Sequence, residues 1–194
     1  MQRASITREH IRNAVASHAR QSADSGDGPA LILAAVLVPV ICGPDGLAIL
    51  LTRRTDTVET HKGQIAFPGG MVDETDRDRV HTALREAEEE LGIPPEGVET
   101  IGMLDDLSTP TGFSITPVVG LLEALPKLRL SEAEVAEAFT VPMAFFADPA
   151  NAEMERRTFR GVSRDVWTYR YEDRVIWGAT GTIIHRFMDT LLGR

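Results

Sequence analysis

Residues 85–93 read REAEEELGI, and they follow the short glycine-rich segment FPGG at residues 67–70. Around this stretch we predict an α-helix over residues 76–91, which Gly92 and the following prolines end. At about 100° per residue, an apolar stripe falls on one helix face. Its members are Val80, Leu84, Ala87 and Leu91. The same geometry places Glu86, Glu89 and Glu90 on the opposite face.

Three crowded carboxylates have two interpretations. Charge runs are usually solvated helix faces, and Glu86 with Glu90 is a like-charge pair that costs about 0.2–0.5 kcal/mol. Arg85 can offset part of this repulsion through Glu89, four residues on. The other interpretation is a site for a hard divalent cation, which prefers carboxylate oxygens. The upstream Gly69 and Gly70 favour this second interpretation, because glycines let the backbone approach a ligand closely.

The charge balance agrees with such a site. The chain has 194 residues and a net charge of −9, and residues 69–106 alone hold twelve acidic and three basic residues. This acidity disfavours nucleic-acid binding. No apolar stretch approaches the length of a membrane span, and the N-terminus lacks a signal-peptide pattern, so we expect a cytoplasmic protein without a membrane partner. Cys42, the single cysteine, excludes a disulfide scaffold and is expected to be a buried, inert thiol.

The remaining segments predict a mixed α/β or α+β domain. Short helices are expected at 6–20, with Thr7 as N-cap, at 131–138 and at 180–192. Strands are expected where apolar runs lie between turn signals. These runs are 31–40, 47–52, 63–70, 98–104, 115–122 and a late hairpin formed by VWTYRYE and RVIW.

The stretch Arg85–Ile93 matches the REUXEEXGU end of the Nudix box residue for residue, and Gly70 matches its opening glycine. The chain therefore resembles the Nudix hydrolases. Asp76 stands where the box has Glu, and the following gap is one residue longer. The resemblance implies an α/β/α sandwich around a central mixed sheet. It places the hydrolase domain at residues 30–194, after an N-terminal helix and loop at 1–29.

The longer spacing resembles the coenzyme A pyrophosphatase branch of that family. The second motif of this branch is matched in register by Leu50–Arg54, Gly63 and Phe67–Gly70. Thr55 replaces a Ser or Ala, and Glu59 replaces an Arg, which reverses the charge at that position. Later segments such as Ser108–Phe113 are also similar to the branch.

The resemblance implies roles for individual residues. Glu86, Glu89 and Glu90 would bind Mg2+ or Mn2+, and Arg85 would orient Glu89. The general base would be Glu89 or Glu134, with Glu89 preferred because the motif fixes its place. Substrate contacts are expected from a further set: Arg53, Arg54, Phe67, Gly69, Gly70 and Thr109.

Several other residues have less specific expectations. Strand alternation suggests that only one of Arg53 and Arg54 faces the site. His61 and Lys62 fit a phosphate contact or a plain surface loop equally well. We expect packing roles for His185, Trp167 and Trp177.

The resulting hypothesis is a Mg2+-dependent enzyme that cleaves the diphosphate of coenzyme A or a derivative, giving 3′,5′-ADP and (acyl-)phosphopantetheine. The expected partner is a small-molecule diphosphate, and a homodimer is possible. Two alternatives stay open: hydrolysis of another nucleoside diphosphate derivative, such as ADP-ribose or a nucleotide sugar, and a non-catalytic nucleotide-binding module.

Overall fold

The computed structural model describes residues 6–22, 30–55, 63–159 and 161–194. These residues form four α-helices. They are α1 (Arg8–Ser17), α2 (Arg79–Leu91), α3 (Met143–Ala147) and α4 (Gly178–Leu192). Helix α1 is capped as predicted, since the Thr7 hydroxyl accepts a hydrogen bond from the His10 N–H at 3.2 Å. None of the described helices combines the length and the apolar composition that a membrane span requires.

The strands of the described residues form two sheets. The first sheet has eight strands: β1 (Ile32–Gly43), β2 (Gly46–Arg54), β3 (Ile65–Ala66), β4 (Gly69–Met71), β5 (Glu99–Met103), β6 (Leu107–Ser108), β7 (Phe113–Leu122) and β8 (Val135–Pro142). The second sheet has three: β9 (Ala152–Phe159), β10 (Val162–Tyr171) and β11 (Arg174–Ile176).

The large sheet is mixed. Strands β1 and β7 run parallel along their whole length, from Ile32 opposite Phe113 to Ile41 opposite Leu122. The other pairings, including the β1–β2 hairpin, are antiparallel. Helix α2 covers one face, with Ala83, Ala87 and Leu91 in the core. Helices α1, α3 and α4 cover the other face. This arrangement confirms the predicted sandwich with a central mixed sheet.

Two predictions about individual elements need correction. Residues 131–138 do not form a helix, because the second half of this segment, from Val135, belongs to strand β8, which pairs with β2 from Ala48 to Arg54. Helix α2 begins at Arg79 rather than residue 76, because the Asp78 carboxylate caps it and accepts a hydrogen bond from the His81 N–H at 2.8 Å. The predicted end holds, since Gly92 adopts a left-handed conformation with φ of 69°.

Helix α1 belongs to the same core as the rest of the fold. Ile11 and Val15 are buried among residues of the large sheet and α4. On the exposed side, Arg12 and Arg8 both donate hydrogen bonds to the Glu99 carboxylate, at distances from 2.7 to 2.9 Å. Apolar packing and charge pairing thus attach the N-terminal helix to β5.

Candidate active site

The acidic helix presents one of its glutamates to the interior. The Glu90 side chain lies against the sheet, and the residue is only 3% exposed. Its carboxylate accepts a hydrogen bond from the backbone N–H of Gly69. Val80 and Leu84 are only half-buried, so the buried face is rotated from the predicted apolar stripe toward Glu90. The prediction that all three glutamates lie opposite the buried face was therefore wrong for Glu90.

The glycine pair of the upstream loop brings backbone against these carboxylates. A Cβ atom on Gly70 would lie 2.6 Å from Cδ of Glu86, which is closer than real Cβ atoms approach a heavy atom. A Cβ on Gly69 would lie 2.6 Å from Cα of Val36 on the neighbouring strand. A side chain at position 69 would therefore collide with the backbone of β1, whereas one at position 70 would displace the carboxyl end of Glu86.

The charges around Glu90 are incompletely balanced. Burial raises the pKa of Glu90 to about 8, with Arg54 acting in the opposite direction and Glu86 and Glu134 adding to the rise. Burial also raises the pKa of Glu86, which Arg85 partly offsets. Glu134 lies exposed in the turn before β8, and its carboxylate acts on both helix glutamates. The structure thus gathers Glu86, Glu90, Glu134 and Arg54.

Arg85 connects this group to the preceding loop. Its Nε and Nη2 atoms donate to the two carboxylate oxygens of Asp76, each at 3.0 Å. Its Nη1 atom donates to Glu86 at 2.9 Å and to Glu89 at 3.1 Å. The Arg85–Glu89 contact is the one expected from their spacing. Because one planar guanidinium holds three carboxylates, it fixes the direction of both helix glutamates.

Asp76 is held by more donors than the sequence suggested. The Thr82 hydroxyl donates to it at 2.9 Å, the Asp73 N–H at 3.0 Å, and His81 Nδ1 lies 2.8 Å from its Oδ1. Arg85 and these donors hold the pKa of Asp76 well below its usual range. Sequence reasoning marked Asp76 only as a departure from the family pattern and gave no role to His81 or Thr82.

The residue types of the site fit a hard divalent cation, although their side chains do not converge on one point in this structure. Glu86, Glu89 and Glu90 supply only carboxylate oxygens, which Mg2+ and Mn2+ prefer. Glu90 is buried with Arg54 as its opposing charge, so a further cation would improve the balance. Glu89 is more open, with 59% of its side chain exposed. In the described part of the chain, no three acidic, histidine or cysteine side chains converge closely enough to hold a metal ion.

The two arginines at the end of β2 point to different partners, as the alternation predicted. Arg54 acts on Glu90, and its buried Nε has no hydrogen-bond acceptor among the described residues. Arg53 instead donates to Glu137 at 3.2 Å, a carboxylate that also pairs with Arg174. Of the two, Arg54 is the one that acts on a helix glutamate.

Other predicted substrate residues lie elsewhere. Phe67 is buried in the core on the side of α1 and α4, away from helix α2. The Thr109 hydroxyl bonds to Thr111 at 2.9 Å and accepts from the Phe113 N–H at 3.0 Å, so it shapes its own turn. Neither residue is brought to the glutamates by these contacts. Glu59, His61 and Lys62 lie outside the described residues.

The structure also tests the packing expectations. The Trp167 ring stacks on His185 of α4 with centroids 3.3 Å apart, which confirms packing for both. Trp177 was expected in the core but is 39% exposed, with the Arg157 guanidinium 5.5 Å above its ring. Cys42 is only half-buried, and this burial raises the pKa of its thiol.

One cleft lies apart from the glutamates. It has a volume of about 840 Å3 and lies between the segment after α1 and the end of α4, with Arg186 and Asp189 in its wall. The cleft shares no residue with the Glu86–Glu90 group. We place the candidate site at the carboxylates, where the charges and the close glycine backbone meet.

The chain is similar to proteins of one known family. A family profile described as "NUDIX domain" matches residues 32–160. The chain is 45% identical over 158 residues to "Uncharacterized Nudix hydrolase NudL" of Pectobacterium atrosepticum, covering 79% of each chain. It is 43% identical over 151 residues to the protein of the same name from Escherichia coli K12, covering 78% of each chain.

Solved structures show the same fold. A Nudix hydrolase from M. smegmatis, RenU, aligns with a TM-score of 0.52 at 22% identity, over 63% of this chain and 84% of that one. A MutT/nudix family protein from Enterococcus faecalis aligns with a TM-score of 0.54 at 17% identity, over 97% of this chain and 76% of that one. By its domain match and its sequence identity to these relatives, the chain belongs to the Nudix hydrolases, enzymes that act on pyrophosphate bonds.

Proposed function

We propose that this Nudix hydrolase cleaves the diphosphate linkage of coenzyme A or its derivatives in a Mg2+- or Mn2+-dependent reaction. The products would be 3′,5′-ADP and (acyl-)phosphopantetheine. The observation that carries the hydrolytic part is the group of Glu86, Glu90 and Glu134 beside the Gly69–Gly70 backbone and Arg54. The substrate assignment is supported by the second sequence motif, Leu50–Arg54 with Gly63 and Phe67–Gly70.

Glu86, Glu89 and Glu90 would hold the divalent cation. When bound, the cation neutralises the diphosphate oxygens and lowers the pKa of a bound water. The chain's own residues position the reactants around it. Arg54, with its guanidinium beside Glu90, would contact a substrate phosphate, and the Gly69–Gly70 backbone lets the diphosphate approach without side-chain obstruction.

The general base is either Glu89 or Glu134. The Arg85 guanidinium at 3.1 Å keeps Glu89 oriented, while the open position of its side chain leaves it reachable by water. Glu134 is exposed and acts on the same glutamates from another segment of the chain. We prefer Glu89, because its position is fixed by both the motif and Arg85. The Glu89→Gln and Glu134→Gln variants separate the two, since loss of the base removes the acidic limb of the pH–rate profile.

Glu59 favours a second candidate substrate. In the coenzyme A branch this position carries Arg, and a carboxylate there would repel an additional phosphate. A nucleoside diphosphate derivative without that phosphate, such as ADP-ribose or a nucleotide sugar, fits the reversed charge. The same hydrolytic residues would serve both substrates.

A product assay decides between these candidates. The full chain would be incubated with Mg2+ and, separately, with coenzyme A, an acyl derivative, ADP-ribose and a nucleotide sugar. We expect the highest kcat/KM for coenzyme A or its acyl derivative. Faster turnover of ADP-ribose or of the nucleotide sugar would reject coenzyme A as the substrate, while the assignment as a hydrolase would stand. No turnover of any compound would favour the non-catalytic nucleotide-binding alternative.

A further inference from the structure

The hairpin of β9 and β10 extends beyond the sheet that supports it. Strand β11 pairs only with Tyr169–Tyr171 at the base of β10. Beyond that base, the hairpin is two strands wide. On β9, six consecutive residues are exposed, so both faces of the strand meet water: Glu153, Met154, Glu155, Arg156, Arg157 and Thr158. Near the base of the hairpin, Trp167 of β10 stacks on His185 of α4, so the exposure concerns β9 and the outer part of the hairpin. A two-stranded hairpin by itself is only marginally stable in water.

The outer edge of β9 is also open. The second sheet has the order β11-β10-β9, and in the described ranges no further strand pairs with β9. An open edge offers a row of backbone N–H and C=O groups to another strand. Proteins often protect such edges with charges. Here the charges are of both signs, with Glu153 and Glu155 close to Arg156 and Arg157, so the edge does not repel every incoming strand.

We infer that a second copy of this chain pairs with β9 in an antiparallel strand-to-strand interface. A two-fold axis perpendicular to the sheet places one residue opposite itself. With Arg156 at the axis, Glu155 lies opposite Arg157 of the second copy, and the symmetry repeats this ion pair. Arg156 then faces Arg156 of the second copy, and each is compensated on its own chain, because its Nε donates to Asp165 at 2.8 Å. Glu155 already accepts a hydrogen bond from Arg157 Nε of its own chain at 2.9 Å, so the contact between copies joins two such pairs into a balanced cluster of four charges.

The neighbouring registers are less favourable. With Glu155 at the axis, two carboxylates face each other, and each Arg157 is shared between Glu155 of its own chain and Glu153 of the second copy, so negative charge is in excess. With Met154 at the axis, Glu153 faces Glu155 of the second copy on both sides. Like charges directly opposite each other destabilise a strand pair. The register centred on Arg156 also places Met154, which is 50% exposed, opposite Thr158 of the second copy. The charge pattern of β9 is thus complementary to itself in one register.

The interface is tested by the oligomeric state of the full chain, measured by sedimentation velocity over a range of concentrations. We expect a concentration-dependent dimer for the unaltered protein. Glu155→Arg or Arg157→Glu alone places like charges opposite each other and should raise the dimer dissociation constant about tenfold or more. Asp45→Arg, in the exposed β1–β2 turn, makes the same charge change as Glu155→Arg and should leave the constant unchanged.

Exchanging the charges at positions 155 and 157 should restore the dimer. The double variant Glu155→Arg/Arg157→Glu restores opposite charges and should dimerise like the unaltered protein. An equimolar mixture of the two single variants should form a mixed dimer more tightly than either forms alone. The inference is overturned if the unaltered chain stays monomeric, or if the single variants dimerise as well as it does. It is also overturned if the double variant has an unchanged thermal melt but remains monomeric.

Discussion

Arg85 and Asp76 form a two-point ion pair in which Nε and Nη2 of the guanidinium each lie 3.0 Å from a carboxylate oxygen. The same guanidinium donates through Nη1 to Glu86 and Glu89. Asp76 therefore acts on the helix glutamates through Arg85, and it does so from a side chain without solvent exposure. The pair links the loop after the glycines to the acidic helix.

Replacing Asp76 by Asn should weaken the two-point contact that holds the Arg85 guanidinium in its present orientation. The expected result is a loss of activity of about 10- to 100-fold, the range typical for residues that orient metal ligands. Initial rates with Mg2+ titrated over a wide range would separate a weaker metal affinity from a lower kcat. Arg77→Ala, an exposed change in the same loop, serves as control. Full activity of Asp76→Asn would mean that the glutamates are oriented without this pair.

Gly70→Ala should disturb the active site more than the fold. The added Cβ would press on the Glu86 carboxyl group, with 2.6 Å to its Cδ. Glu86 must move, and a displacement of about 1 Å near the chemistry can cost about 100-fold in rate. The matched control is Gly97→Ala, where the nearest atom would be Pro94 Cγ at an ordinary 3.5 Å. The measurements are kcat and the thermal midpoint of both variants; equal activity would contradict this account.

Metal removal should lower the stability of the protein. A cation that binds only the native state adds about 2.7 kcal/mol at a concentration 100-fold above its dissociation constant. For a chain of this size, each kcal/mol of added stability raises the Tm by about 2–4 °C. We expect Mg2+ to raise the Tm over that in EDTA, and Glu90→Gln to remove most of the rise. The exposed Glu88→Gln should keep it. The same rise in both variants would place the cation elsewhere.

The attachment of helix α1 should depend on pH. Hydrogen bonds from Arg12 and Arg8 lower the pKa of Glu99 to about 2. A carboxyl group with a lowered pKa in the folded state stabilises the protein above its unfolded pKa of about 4.3. That contribution is lost as the pH falls from about 4.3 toward 2. Urea unfolding should show Glu99→Gln less stable than the unaltered protein at pH 7, with the difference vanishing near pH 2. A difference independent of pH would exclude the ion pairs as its source.

Much of the fold could be predicted because local signals agreed with the final packing. Thr7, Gly92 and the β1–β2 turn sit where caps and turns were expected. The helix prediction for residues 131–138 was wrong. The Ala and Glu residues of this segment have a high helix propensity, but the edge of β2 offers them strand hydrogen bonds instead. Pairing with a neighbouring strand outweighed local preference.

The site was predicted in its members more than in its geometry. The motif identified Glu86, Glu89 and Glu90. The buried helix face was predicted from the apolar residues alone, however, and these could not show that Glu90 points into the interior. In the interior, Glu90 meets the Gly69 N–H and the charge of Arg54, which belong to separate strands. The donors to Asp76 were missed for a related reason, since His81 and Thr82 reach it only through the turn at the start of α2.

The central claim is metal-dependent cleavage of coenzyme A by the α2 carboxylates. The most direct test is the rate of 3′,5′-ADP release from coenzyme A as Mg2+ is titrated, for the unaltered chain and for Glu86→Gln. The account predicts release that rises with Mg2+, stops in EDTA and falls by at least about 100-fold in the variant. No 3′,5′-ADP at any Mg2+ concentration, or equal rates for both proteins, would contradict it.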